Sequence, residues 1–358
     1  MKIALGIIAA AMASLASLAW AQSVQTGVCT PSMGLSFVCG LNEPEDLLQI
    51  PGTRWVIASG MGDNGGLSLI DTVAKTARRF YAGEAKPDRV LYPDCATSPV
   101  GFNTHGIALR PSRLRMLGLY NLYAVTHVPF ESIQVFAVNA NGPEPSITWT
   151  GCVKLPTDFK ANSVTAALDG TILVDVQMHN GLTNVDFING KVTGGVYEWK
   201  PLDKKLSLLP GTELAGNNGI EISKDDSEFY VAVSGTQTVA VFSRAGTSKP
   251  ARTVRTPWFN LDNIHWSGDR LIAAGMMFDE PACGGTRKQM LDNHGDLDCH
   301  RGWVAGQLDP KAMTWKILAY GEPNPLFGGI ATALVIDDTL WLSSFQMDRV
   351  AYRPLPKP

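Results

Sequence analysis

The sequence predicts an all-β protein built as a six-bladed β-propeller, and three observations carry that prediction. Short β-branched and aromatic runs recur along the chain, clusters of Gly, Pro, Asn and Asp separate them, and a longer repeat gathers them into six units. No sustained helical periodicity follows the first twenty residues.

The runs at 55–58, 122–125, 172–176, 229–233, 271–274 and 339–343 each follow a similar polar lead-in. The clearest unit is NNGIEISKDDSEFYVAVSGTQTVAVFSR at 217–244: a loop residue, a strand, an Asp-rich turn, a second strand, a turn and a third strand. That order is a meander of three or four strands. The lead-ins align at Glu45, His105, Asn162, Asn218, Asn263 and about Ala331, with separations of 60, 57, 56, 45 and roughly 68 residues. A four-stranded sheet cannot bury both faces alone, so such units pack radially and their first strands line a central channel. A β-sandwich, the competing architecture, places strands every 8–12 residues without this longer repeat.

The chain has 358 residues, 45% of them hydrophobic and 18% charged, with 35 Gly and 22 Pro. That composition buries a core and excludes disorder, collagen and coiled coil. Its net charge of −3 and the absence of any Lys/Arg-rich run remove the electrostatic footprint of nucleic-acid binding. Lys2, the apolar run 3–20 and Ala19-Trp20-Ala21 read as a signal peptide spanning 1–21, cleaved after Ala21, followed by a single propeller domain at 22–358. The expected product is exported, periplasmic or secreted, and keeps no stable membrane anchor after cleavage. No long apolar seam or heptad speaks to oligomeric state.

All six cysteines follow the cleavage site, and an even count in an exported chain indicates disulfides. Proximity in sequence pairs Cys29 with Cys39 and Cys283 with Cys299, and elimination leaves Cys95 with Cys152. No Cys-x-x-Cys is present, which argues against zinc ribbons and redox motifs.

The lead-ins carry oxygen donors where an inner strand normally starts with apolar residues. If they converge on the axis, Glu45, Asn162, Asn218, Asp262 and Asn263 supply five oxygens with a charge of −2. A hard, all-oxygen set of that charge suits calcium. Taken singly, Asn and Asp are turn residues; recurrence at blade spacing is what points to a metal. His105 in FNTHGIAL and His127 in LYAVTHV fall in the second unit, at the start of one strand and the end of its neighbour. An imidazole is the usual general base near neutral pH, and a second one bonded to it sets its tautomer.

The segments PEDLLQIPGTRWVIASGM, FNTHGIAL, LYAVTHV, ANSV, NNGIEISKDDSEFYVAV and LDNIHWSGDRLIAAG, in this order and spacing, resemble the paraoxonase family of six-bladed propeller lactonases and arylesterases. The likeness runs from about Glu43 to the C-terminus, within a superfamily that also holds gluconolactonases and strictosidine-synthase-like proteins. The resemblance implies that Glu45, Asn162, Asn218, Asp262 and Asn263 hold the catalytic calcium, that His105 and His127 form the family's dyad, and that the substrate is a small lactone or ester. Asp46 matches a ligand of the family's second, structural calcium, but Ser163 stands where that ion's next carboxylate belongs, which weakens its charge balance. The family's disulfide between N- and C-terminal strands has no counterpart, because no cysteine follows Cys299.

Two other readings use the same fold: a lyase or condensation enzyme at the same metal, or a non-catalytic propeller stapled by calcium. The Asp- and His-rich stretch 288–302 fits no EF-hand spacing and reads as an insertion over the channel mouth, tied by Cys283 and Cys299. His265 and Trp266 are candidates to line the pocket and Met276, Met277 and Phe278 to wall it, with inner-strand core an equal alternative.

Overall fold

The computed structural model describes residues 28–112, 115–292 and 299–356, so the leader and its cleavage site lie outside the described residues. Six four-stranded antiparallel sheets form the protein. Their innermost strands are Leu47–Gln49, Ile107–Pro111, Phe159–Ala166, Asn217–Ile222, Phe259–Ser267 and Ala333–Ile336, and successive ones touch around a ring. No described helix is long and apolar enough to cross a membrane.

Each junction between neighbouring blades has its own apolar cluster. Strand Trp55–Gly60 shows why its sequence reads as a continuous apolar run. Trp55 and Ile57 point into the junction with blade two, while Val56 and Ala58 point into the junction with blade six. Successive side chains leave a strand on opposite faces, and here both faces are covered. Removing one such side chain, as in Ile57→Ala, costs about 2–5 kcal/mol. The outer strand of blade one, Thr76–Arg79, is largely exposed and accordingly polar.

Blade six is assembled from both ends of the chain. Strand Ser36–Cys39 pairs antiparallel with the last strand, Arg349–Pro354, and completes the sheet. Backbone bonds therefore close the ring. Buried Arg349 reinforces the seam: its Nε donates to Asp348 at 2.7 Å, its Nη1 donates to the carbonyl of Val28 at 3.0 Å, and its guanidinium lies over Phe37.

The three disulfides are those expected: Cys29–Cys39, Cys95–Cys152 and Cys283–Cys299. The first locks the N-terminal segment to the closing strand. The second ties the long connection between blades one and two to the outer strand of blade two. The third closes the blade-five insertion, of which residues 293–298 lie outside the described residues.

Candidate active site

Four of the five donor positions identified in the sequence lie in irregularities of three inner strands. Pairing shifts between Ala161 and Ser163, between Asn217 and Ile220, and between Leu261 and Ile264. Asn162, Asn218 and the pair Asp262-Asn263 occupy these bulges. A bulge re-aims side chains that regular pairing would bury between blades. Two glycines let the bulged strands approach one another. A Cβ on Gly106 would lie 2.6 Å from the Cα of Ser163, and one on Gly219 would lie 2.7 Å from the Cα of Asn263. No side chain larger than hydrogen fits at either place without moving backbone.

The asparagines are all held the same way: each amide nitrogen is engaged by a neighbour and each amide oxygen is left without a partner. Asn162 Nδ2 lies 3.3 Å from His105 Nε2, Asn218 Nδ2 donates to Ser234 Oγ at 3.0 Å, and Asn263 Nδ2 donates to Glu45 Oε1 at 2.6 Å and Thr332 Oγ1 at 3.1 Å. The oxygens Asn162 Oδ1, Asn218 Oδ1, Asn263 Oδ1 and Glu45 Oε2 are buried with no hydrogen-bond partner. An unmet buried acceptor costs about 1–3 kcal/mol, and four around one axis form a set that a cation satisfies.

Burial pushes the Glu45 carboxyl well above the usual carboxylate range, and the charges of Asp46 and Asp262 push it further. Burial also raises Asp262, to about 7, against the opposing pull of Arg287. Two carboxyls that resist ionising, beside three unpaired amide oxygens, fit a hard divalent ion coordinated by oxygen. No three His, Cys, Asp or Glu side chains form a metal cage among the described residues, and three of these five donors are amides.

His105 and His127 meet as expected from their positions at the start of one strand and the end of the next. His105 Nδ1 lies 3.0 Å from His127 Nε2, and His127 Nδ1 lies 2.8 Å from Glu131 Oε1. Glu131 was not found from the sequence; its only signal is the four-residue spacing from His127. A carboxylate accepts, so His127 Nδ1 carries the hydrogen and its Nε2 is the acceptor. His105 Nδ1 then donates to His127, and the unprotonated Nε2 of His105 faces Asn162 and, at 3.9 Å, Glu45. Burial and the neighbouring His127 push the His105 imidazole down to about 3, so the ring is neutral at ordinary pH. The backbone N–H of His127 donates to Asn103 Oδ1, which fixes the end of that strand.

A cavity of about 570 Å3 opens beside the dyad, lined by His105, His127, Glu131, Lys160, Met178 and Leu182. Helix α1, Asn184–Ile188, stands over it, with Phe187 packed on Met178 and Ala215. The blade-five insertion reaches the same rim through helix α2, Arg287–Asp292: Lys288 Nζ donates to Asn189 at 2.9 Å. Buried Arg301 anchors the insertion from below, donating to the carbonyls of Met277, Phe278 and Gly285. Of the two readings left open for the residues around 276–278, pocket wall or inner-strand core, Met276 takes the second. Phe278 lines a small cavity beside Arg287, and Trp266 borders a separate cavity of about 310 Å3 at the opposite end of the channel.

One layer below the donors, a hydrogen-bonded network joins all six blades. Asp46 Oδ1 accepts from the Leu47 N–H and from Thr332 Oγ1 at 2.7 Å, while Asp46 Oδ2 accepts from the Ile107 N–H at 2.8 Å and from His265 Nε2 at 3.1 Å. His265 Nδ1 lies 3.2 Å from Glu221 Oε2, and Glu221 Oε1 receives Thr165 Oγ1. Burial alone would push His265 down, but Asp46 and Glu221 overcome it and hold the ring cationic, its value raised to about 10. His265 thus spans the channel rather than lining the pocket. With four protein donors already on its two oxygens, Asp46 does not fit as the ligand of a second ion.

No family model and no curated protein matches the chain. Among solved structures it is similar to a luciferin-regenerating enzyme, 12% identical over 89% of this chain and 94% of that one, with a TM-score of 0.51. It is also similar to a gluconolactonase from Xanthomonas campestris, 12% identical over 91% of each chain, with a TM-score of 0.49. At these identities the likeness is one of fold, the six-bladed propeller.

Proposed function

We propose that this chain is an exported, calcium-dependent hydrolase of lactones or esters, with calcium held by Glu45, Asn162, Asn218, Asp262 and Asn263 and with His105 as general base. The observation that carries this reading is the direction of the relay. Glu131 fixes the hydrogen of His127, His127 fixes that of His105, and the lone pair of His105 Nε2, which accepts from Asn162 Nδ2, faces the donor cluster. A purely structural ion has no use for a base oriented in this way. The family resemblance of the motifs and the three disulfides of an oxidising compartment support the same reading.

When bound, calcium supplies positive charge that polarises a substrate carbonyl and favours its oxyanion. The protein does the rest. His105 Nε2 takes a proton from water as the water oxygen bonds to the acyl carbon, and the imidazolium so formed keeps its Nδ1–H bond to His127. Glu131 holds His127 in the tautomer that accepts that bond and offsets the new charge. The acyl–oxygen bond then breaks and the proton passes from His105 to the departing alkoxide, giving an acid and an alcohol. Met178, Leu182 and Ala161 form the apolar part of the cavity beside the dyad and would hold the organic part of the substrate.

The test is a panel of lactones and aryl esters given to EDTA-stripped protein, then to the same protein with calcium, magnesium or zinc restored. Turnover recovered with calcium supports the proposal. Calcium-dependent stability without any turnover would move the protein to the lyase or binding readings.

A further inference from the structure

His265 sits where carboxylates from two other blades converge. It lies on the axis, 2% exposed, between Asp46, which has no exposed surface, and Glu221. Its Nε2 reaches Asp46 at 2.9 Å and its Nδ1 reaches Glu221 at 3.2 Å. Each ring nitrogen therefore faces a carboxylate, and carboxylates only accept, so the ring donates on both sides. Both acids come from other blades: Asp46 enters from blade one and Glu221 from blade four, and His265 from blade five bridges them. The same carboxylates gather Ile107 of blade two, Thr165 of blade three and Thr332 of blade six. A divalent ion here would draw oxygens from several blades in just this manner.

We propose that His265 is a built-in substitute for a second cation, so that the channel takes a single calcium above it and acquires a second only when the imidazole is removed. The first half of this statement rests on the reading that the upper donors bind calcium; the second half does not. Cutting His265 back to alanine leaves two buried carboxylates facing each other across a space that the ring had filled. Buried charge without a partner is strongly unfavourable, and an ion with its water can enter.

The experiment counts calcium per chain in EDTA-stripped and reconstituted protein, by isothermal titration and by elemental analysis, for the wild type and His265→Ala. The expected counts are one and two. The variant should also melt well below the wild type in EDTA and recover most of the difference in millimolar calcium. Two ions in the wild type would overturn the inference. So would a variant whose count equals that of the wild type, or one that fails to fold even when produced with calcium. A wild-type count of zero would remove the upper calcium site, and the inference would then be upheld by a variant that binds one ion and refuted by a variant that binds none.

Discussion

His105 Nδ1 lies 3.0 Å from His127 Nε2, and this contact ties the beginning of one strand of blade two to the end of the next. Because Glu131 sits on the far nitrogen of His127, the pair has a direction, and the reactive lone pair belongs to His105. His105→Gln is therefore expected to lower kcat by about 10²–10⁴-fold, the usual contribution of a general base. Calcium affinity, measured by titration calorimetry, should change little. Glu131→Gln leaves a partner that can also donate, loosens the tautomer and should cost less, roughly tenfold. A larger loss in Glu131→Gln than in His105→Gln would reverse the assignment of roles.

The effect of calcium on stability should depend on pH with a defined sign. Asp262 is raised to about 7 and Glu45 is raised well above its usual range, whereas both ionise near pH 4 in an unfolded chain. Between those limits the metal-free fold keeps protons that the unfolded chain has released, so its stability falls as pH rises from about 4 to 7. Calcium must displace those protons, so its binding strengthens over the same window. Melting curves with EDTA and with calcium should nearly coincide at pH 5 and separate increasingly toward pH 8. His105 acts in the opposite direction. Held down to about 3, it withdraws stability as pH falls from about 6.5 toward 3. A calcium-induced shift that is larger at pH 5 than at pH 8 would contradict this account.

Gly219→Ala tests whether close strand contact builds the donor cluster. The new methyl would stand 2.7 Å from the Cα of Asn263 and 3.0 Å from its Oδ1, so backbone carrying two of the five donors must move. Overpacking of this kind costs about 1–3 kcal/mol. Calcium affinity should fall by at least roughly tenfold, read as a rise in Kd, and an unchanged Kd would separate the bulge from the metal site.

Disulfide removal should follow loop length. Cys95–Cys152 closes 57 residues and Cys29–Cys39 closes 10. Chain entropy assigns them about 4 and about 3 kcal/mol respectively. Denaturant unfolding of the paired Cys→Ala variants should rank them in that order, and the reverse ranking would show that the N-terminal seam limits stability.

The fold was legible because its units repeat. Five polar lead-ins at blade spacing, with a sixth start at about Ala331, located the six inner strands, and runs such as 55–58 marked strands covered on both faces. Asn162, Asn218 and Asn263 could be singled out because an amide at the start of an inner strand is unusual there. The bulges that turn them inward were not readable, since a pairing shift depends on the neighbouring strand. Glu131 went unnoticed because four residues of loop gave no hint that its carboxylate returns to His127. The network of Asp46, His265 and Glu221 was hidden for a different reason: its members lie more than forty residues apart and belong to three blades. The same distance explains why His265 reads in sequence as pocket lining. Its partners arrive from across the channel, and only closure of the propeller brings them together.

The most direct test of the account is hydrolysis of one good lactone or aryl ester by wild type and His105→Gln side by side, each in EDTA and each with calcium restored. The account predicts turnover only in the wild type with calcium, while the variant binds the same ion and is nearly inactive. Full activity of the wild type in EDTA, or a wild-type rate in calcium-loaded His105→Gln, would contradict it.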